Sequence, residues 1–253
     1  MPDPKNPVDR LRRMIDEANR VVIFTGAGIS TESGIPDFRS PGGIWSRYQP
    51  IYFDDFVRSE EMRRESWRRK LQTDKSMSAA KPNRGHEAIA AMIRRGKATT
   101  VITQNIDGLH QAAGVPPDKV IELHGNSTYA KCLDCGHPME LQPIMTVFEK
   151  DETLPVCDAC GSDLVKTATI SFGQAMPEEE MRRAEIATRN CDLFLAIGSS
   201  LVVYPAAGFP IMAKREGASL AIVNREPTEL DDIADLVLNA EIGDTLSSAV
   251  GMN

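Results

Sequence analysis

No stretch of this 253-residue chain approaches the roughly 20 apolar residues that a membrane-spanning helix needs, which excludes a bilayer-embedded fold of that kind. Positive charge is not in excess either. Lys and Arg total 29 against 36 Asp and Glu, a formal charge of −7, so no global field draws the chain to nucleic acid or to an anionic membrane. A basic partner must be recognised locally. The segment from Met1 to Arg20 is charged and has no apolar core of signal-peptide length, from which a cytoplasmic protein is expected. Cysteine is scarce and odd in number, five in all, which argues for reduced thiols or metal ligation over a disulfide framework. Internal repeats and low-complexity stretches are absent. What remains is ordinary globular composition, 42% hydrophobic and 26% charged, enough to bury a substantial core.

Short apolar, β-branched runs at Val21 to Phe24, Thr99 to Thr103, Val120 to Leu123, Leu193 to Ile197, Leu220 to Val223 and Leu236 to Leu238 read as buried strands. Val8, Leu11, Met14, Ile15 and Ala18 recur at helical spacing, and helical stretches such as Gly85 to Arg95 and Pro177 to Arg189 alternate with the runs. The alternation predicts an α/β fold, a mostly parallel sheet of about six strands with helices on both faces. Two segments break it. Trp45 to Lys81, with "EEMRRESWRRK", reads as a helical insertion, and Ser127 to Lys166 holds four of the five cysteines. The division expected is therefore a large domain of residues 1–45, 85–126 and 167–253, and a small lobe of residues 46–84 and 127–166.

Cys132-Leu-Asp-Cys135 and Cys157-Asp-Ala-Cys160 each place two thiolates on a tight turn, and together they supply the four sulfurs of a tetrahedral zinc site. Four thiolates leave no open coordination position, so the expected zinc ion is structural. Cys191, just ahead of an apolar run, reads as a buried thiol. "GAGIST" follows the first predicted strand and offers Gly26 and Gly28, with Thr31 where the dinucleotide fingerprint wants a third glycine; its backbone amides are candidates to face a pyrophosphate. Asp37-Phe38-Arg39 after Gly-Ile-Pro suggests a loop that closes over a ligand. "TQNIDGLHQAAG" begins at a strand's C-terminal end, where α/β folds bind ligands, and Gln104, Asn105 and Asp107 offer amide and carboxylate groups to a ribose or carboxamide. "IELHGN" puts His124 at the same sheet edge, as a candidate general base. His86 and His110 fall in helical segments and read as structural.

These motifs in this order, with "GSSLVVYPAA" and "IVNRE", resemble the sirtuin family of bacterial or archaeal type, from about Asp9 to the C-terminus. The resemblance implies a Rossmann-like large domain, a small lobe made of a zinc ribbon and a helical insertion, and a cleft between them. It implies a protein lysine deacylase that consumes NAD, with acylated lysine of proteins as substrate, releasing nicotinamide and O-acyl-ADP-ribose. Ala27, Thr31, Phe38, Arg39, Gln104, Asn105, Ile106, Asp107, Gly198, Ser199, Ser200, Asn224, Arg225, Glu226 and Ile242 would line the NAD site. His124 would be the catalytic base, Asn105 would position the ribose and a water, Asp107 would hold the nicotinamide carboxamide, and Phe38 would shield the reactive carbon. The peptide would lie as a strand between "TISFGQ" and "SLVVYP", touching Ile170, Phe172, Gly173, Val202 and Val203.

The chain departs from the family where an apolar strand with two phenylalanines ends in Gly-Glu; here the residues are Ser171-Phe172-Gly173-Gln174. A tyrosine and arginine that mark desuccinylases would fall near Glu65 and Arg68, and only the arginine is present, which does not favour succinyl substrates. Mono-ADP-ribosyl transfer would use the same NAD cleavage with another acceptor. A hydride-transferring dehydrogenase fits the incomplete glycine fingerprint poorly, and a zinc-ribbon nucleic-acid binder fits the acidic balance poorly.

Overall fold

A computed structural model describes residues 6–38, 42–46 and 48–252, with the side chain of Trp45 left out. In chain order the elements are α1 (Pro7–Glu17), β1 (Val21–Thr25), α2 (Phe53–Arg58), α3 (Glu60–Ala79), α4 (Arg84–Arg94), β2 (Ala98–Thr103), α5 (Leu109–Ala112), β3 (Val120–Glu122) and β4 (Gly125–Cys132). They continue with β5 (Pro138–Glu140), α6 (Leu141–Asp151), β6 (Val165–Thr169), α7 (Glu178–Arg189), β7 (Leu193–Ile197), α8 (Gly208–Arg215), β8 (Ser219–Val223), β9 (Leu236–Leu238) and α9 (Ile242–Ala249). Among the described residues no helix is long and apolar enough to cross a membrane.

All six apolar runs are strands of one parallel sheet, in the order β3-β2-β1-β7-β8-β9. Side chains alternate across a strand, so β1 needs apolar residues in succession only if both faces are covered. They are. Val21 and Ile23 pack with α1, α4 and α9, while Val22 and Phe24 pack with α7 and α8. The chain order reverses direction at β1, whose two neighbours are β2 on one side and β7 on the other. Such a switch point opens a crevice at the C-terminal strand ends, the usual ligand position of this architecture.

A second, antiparallel sheet, β5-β4-β6, belongs to the cysteine-bearing segment. Its core is small, and α3 completes it: Trp67, 1% exposed, packs on Phe148 of α6 at 6.4 Å between ring centroids and donates Nε1–H to the Val165 carbonyl at 3.3 Å. The charged run of α3 is thus not a merely solvated face. Arg63 is buried and donates to the Phe56 and Val57 carbonyls and to Asp163, and Lys70 is buried with its Nζ on the Ser127 carbonyl at 2.9 Å. Helix α6, inside the cysteine segment, is an element that the Pro- and Gly-containing sequence did not announce.

Candidate active site

The strand ends converge on one cavity of about 430 Å³. From β1 comes the Ala27–Ser33 3-10 helix, from β2 Gln104 to Ile106, from β3 His124, from β7 Gly198 to Ser200, and from β8 Asn224 to Glu226; Ile242 closes it at the start of α9. Ala27, Gly28, Thr31, Asp37 and Phe38 stand on its wall, as do Ile170, Phe172, Gly173 and Val203. Gly26, Asp107 and Val202 do not, and Arg39 lies outside the described residues.

The glycines of the turn have a reason other than the one their pattern suggested. Gly26 donates its N–H to the Ile197 carbonyl at 3.0 Å and Gly28 to the Gly198 carbonyl at 2.8 Å, so neither amide is available to a pyrophosphate. A side chain at Gly28 would put its Cβ 2.8 Å from Gly198 Cα, and one at Gly198, where φ is +63°, would meet the Ile29 nitrogen at 2.4 Å. Two loops press together backbone to backbone, and only glycine permits that approach.

His124 is half-buried, and its Nδ1 lies 3.0 Å from the Gln104 carbonyl. A carbonyl only accepts, so Nδ1 carries the hydrogen and Nε2 is the basic nitrogen. Burial pushes the His124 pKa down, partly offset by that hydrogen bond, and the ring is therefore neutral and ready to take a proton at neutral pH. Gln104 is fixed in turn by Ser199 Oγ–H donating to its Oε1 at 2.7 Å. Asn105, 8% exposed, donates Nδ2–H to Ser30 Oγ at 3.2 Å, and Ser30 donates to Asp107 Oδ2 at 2.7 Å. The other Asp107 oxygen accepts the Leu109 N–H at 2.9 Å. Asp107 thus stands one step behind the wall, orienting Ser30 and through it Asn105.

Behind this row lie His86 and His110, 0% and 1% exposed, with ring centroids 5.1 Å apart. His110 shares a hydrogen bond with Thr25 Oγ1 at 2.8 Å, and Thr25 donates to Thr103 Oγ1, which also accepts the Asn105 N–H at 3.0 Å. Burial holds the His86 pKa at about 4 and that of His110 at about 3, well below the ordinary 6.5. Because the folded pKa values are depressed, the unfolded chain takes up protons first, so stability is lost as pH falls from about 6.5 toward these values. Each histidine is expected to steepen that loss by about 1.4 kcal/mol per pH unit. Denaturant melts between pH 7.5 and 5 will test it: His110→Gln should give a flatter profile, and an equally steep one would remove the pair as its source.

Sequence reasoning missed several wall residues. Thr169, Ser171, Gln174, Tyr204 and Pro205 belong to segments already singled out, as does Glu32 in "STESGIPDFRS", whereas Met176, Ala240 and Glu241 carried no motif. Glu32 accepts the Gly243 N–H at the start of α9 at 2.8 Å, and a Cβ on Gly243 would come within 2.3 Å of its carboxylate. Arg225 pairs with Glu241 at 3.0 Å on the rim. Arg68 is not on the wall; it bonds Glu152 and Glu61, so it offers the cavity no anion-binding group.

In the small lobe the Sγ atoms of Cys132, Cys135, Cys157 and Cys160 all lie within 4.8 Å of one another. Cys132 and Cys160 are 3.7 Å apart and Cys135 and Cys157 3.6 Å, each contact crossing between the two turns. A tetrahedral ion with Zn–S bonds of about 2.3 Å needs sulfurs about 3.8 Å apart, and the cluster fits one structural zinc. His137 and Asp158, 3.1 Å apart, add a second clamp between the turns.

Sheet order, switch-point cavity and four-cysteine lobe together define a nucleotide-binding α/β protein with a zinc-ribbon attachment. A model of the Sir2 family matches residues 26–205. NAD-dependent protein deacetylase 1 of Bradyrhizobium diazoefficiens is 61% identical over 98% of this chain and 97% of its own, and NAD-dependent protein deacylase 2 of Archaeoglobus fulgidus is 39% identical over 97% and 96%. Among solved structures, a Sir2 variant with deacetylated p53 peptide and 3′-O-acetyl-ADP-ribose superposes with a TM-score of 0.89 at 36% identity, covering 97% of this chain and 98% of that one. A Sir2 complex with p53 peptide and NAD gives 0.87, also at 36% identity, covering 96% and 98%. The chain belongs to the Sir2 family.

Proposed function

We infer that this protein removes acetyl and related acyl groups from lysines of proteins, with NAD as co-substrate, giving nicotinamide and O-acyl-ADP-ribose. The observation that carries the assignment is His124: its Nδ1 is pinned to Gln104, and its ring borders the same cavity as Asn105 and the glycine turn. NAD supplies a glycosidic bond to nicotinamide, whose cleavage leaves an electrophilic anomeric carbon for the acyl oxygen. His124 removes the proton of a ribose hydroxyl, Asn105 orients ribose and water, and Phe38 shields the reacting carbon from premature hydrolysis. Gln104, Ile106, Gly198, Ser199, Ser200, Asn224, Arg225, Glu226 and Ile242 line the NAD position, and Ile170, Phe172, Gly173 and Val203 one for the peptide. Gly26 and Asp107 act from behind the wall, through Ile197 and Ser30, and Val202 is assigned to the peptide position beside Val203.

We assign residues 1–45, 85–126 and 167–253 to the NAD-binding domain and residues 46–84 and 127–166 to the small one; the junctions fall inside β4 and β6, which start and end at Gly125 and Thr169. The net charge of −7 favours a protein substrate over nucleic acid or a membrane, and five unpaired thiols favour cytoplasmic operation. Mass spectrometry of an acetyl-lysine peptide incubated with the protein, with and without NAD, is the test. NAD-dependent loss of acetyl with O-acetyl-ADP-ribose is expected. Nicotinamide release with the acetyl group intact would point instead to ADP-ribosyl transfer.

A further inference from the structure

Lys166 is a lysine with almost no water, 3% exposed, and it has no role in the chemistry above. Its ammonium donates to the Thr169 carbonyl at 2.5 Å and to Gln174 Oε1 at 3.3 Å, both neutral oxygens. Gln174 Oε1 also accepts the Ser171 N–H at 3.1 Å. One amide oxygen thus gathers two donors and closes the loop that follows β6 onto the strand it leaves. Every residue of that loop from Thr169 to Gln174 faces the cavity.

The loop is held from its other sides as well. Ile170 donates its N–H to the His124 carbonyl at 2.8 Å, and Phe172 accepts the N–H of Phe53, the first residue of α2, at 2.9 Å. The Tyr52 and Phe172 rings stand 6.2 Å apart. With the outer edge fixed by α2 and the start by His124, the turn Ser171 to Gln174 closes on its own backbone bond, Gln174 N–H to the Ser171 carbonyl at 3.0 Å, and Lys166 and the Gln174 side chain tie that turn back to β6. A buried ammonium with only neutral partners is an unfavourable arrangement, and burial pushes its pKa down to about 8. A carboxylate at position 174 would neutralise it.

We propose that the Lys166–Gln174 clasp holds the peptide-binding wall in register, which makes Gln174 a positioning residue for the acyl-peptide. The proposal rests on the reading that Ile170, Phe172 and Gly173 form one side of the peptide site. It acts through Ser171 and Phe172, so its signature is a change in peptide affinity with the NAD chemistry intact.

The test is steady-state kinetics of the zinc-loaded full chain with an acetyl-lysine peptide and NAD varied separately. Gln174→Met, which keeps the length but has no acceptor oxygen, is expected to raise KM for the peptide about tenfold, the scale of losing a charge-assisted hydrogen bond, with kcat and the KM for NAD nearly unchanged. Gln174→Glu restores an acceptor and should bring the peptide KM back toward that of the parent. Lys166→Met should reproduce the Gln174→Met split. Phe172→Ala tests the underlying reading, since it should raise the peptide KM whether or not the clasp matters. If Phe172→Ala raises it and Gln174→Met does not, the clasp is refuted and the peptide wall stands. If neither does, the wall reading fails and the proposal with it. An equal rise in both KM values for Gln174→Met, without rescue by Gln174→Glu, would mark Gln174 as generally structural and overturn the positioning role.

Discussion

His124→Ala should lower NAD-dependent deacylation by roughly 10²–10⁴-fold, the contribution of a positioned general base, while NAD binding and the melting temperature stay close to those of the parent protein. The side chain is only half-buried and makes a single hydrogen bond, to the Gln104 carbonyl, so its removal opens little of the core. The sign of the pH dependence follows from the same geometry. Burial depresses the His124 pKa, so the base is lost by protonation only below the ordinary histidine value of 6.5, and the acidic limb of the kcat/KM profile should lie under it. Measured kcat/KM against pH for the parent, with single-point turnover for the variant, decides the matter. Turnover by His124→Ala at more than a tenth of the parent rate would assign the base elsewhere.

The second large effect concerns the small lobe. Cys132→Ala should remove zinc from the protein and melt the lobe together with it, because Cys132 and Cys157 are not surface appendages but members of the core that holds Trp67, Phe148 and Val165. Metal analysis paired with circular dichroism should show zinc per chain falling from one toward zero and an early unfolding transition. A strong chelator applied to the parent protein should do the same. An unchanged zinc stoichiometry would sink the four-cysteine assignment.

The parts that were legible in the sequence are those whose cause is local. A parallel strand covered on both faces is mostly apolar along its length, so six runs marked six strands, and two CxxC turns announce a metal whatever surrounds them. The site was legible wherever a motif sat at a strand end, as with Asn105 and His124. What was hidden depends on distant partners. Nothing near Gly28 says that Gly198 presses on it, nothing near Glu32 says that it caps α9, and nothing near Asp107 says that Ser30, 77 residues earlier, bonds one of its oxygens. Helix α6 was obscured by the prolines and glycines around it, and it is held in place by α3 from an insertion some 80 residues earlier, Arg68 to Glu152 and Trp67 to Phe148.

The central place of β1 in the sheet bears on how the protein is made. Its first neighbour, β2, follows within the N-terminal half, but its second is β7, and Val21 pairs with Leu193. At ribosomal speeds of about 5–20 residues per second, roughly 10–30 s pass between synthesis of the two. For that interval the nascent chain carries a five-residue strand, apolar in all but Thr25, with one naked edge. Such an edge invites pairing with a neighbouring nascent chain, so the yield of native protein should depend on whatever shields β1 until β7 emerges.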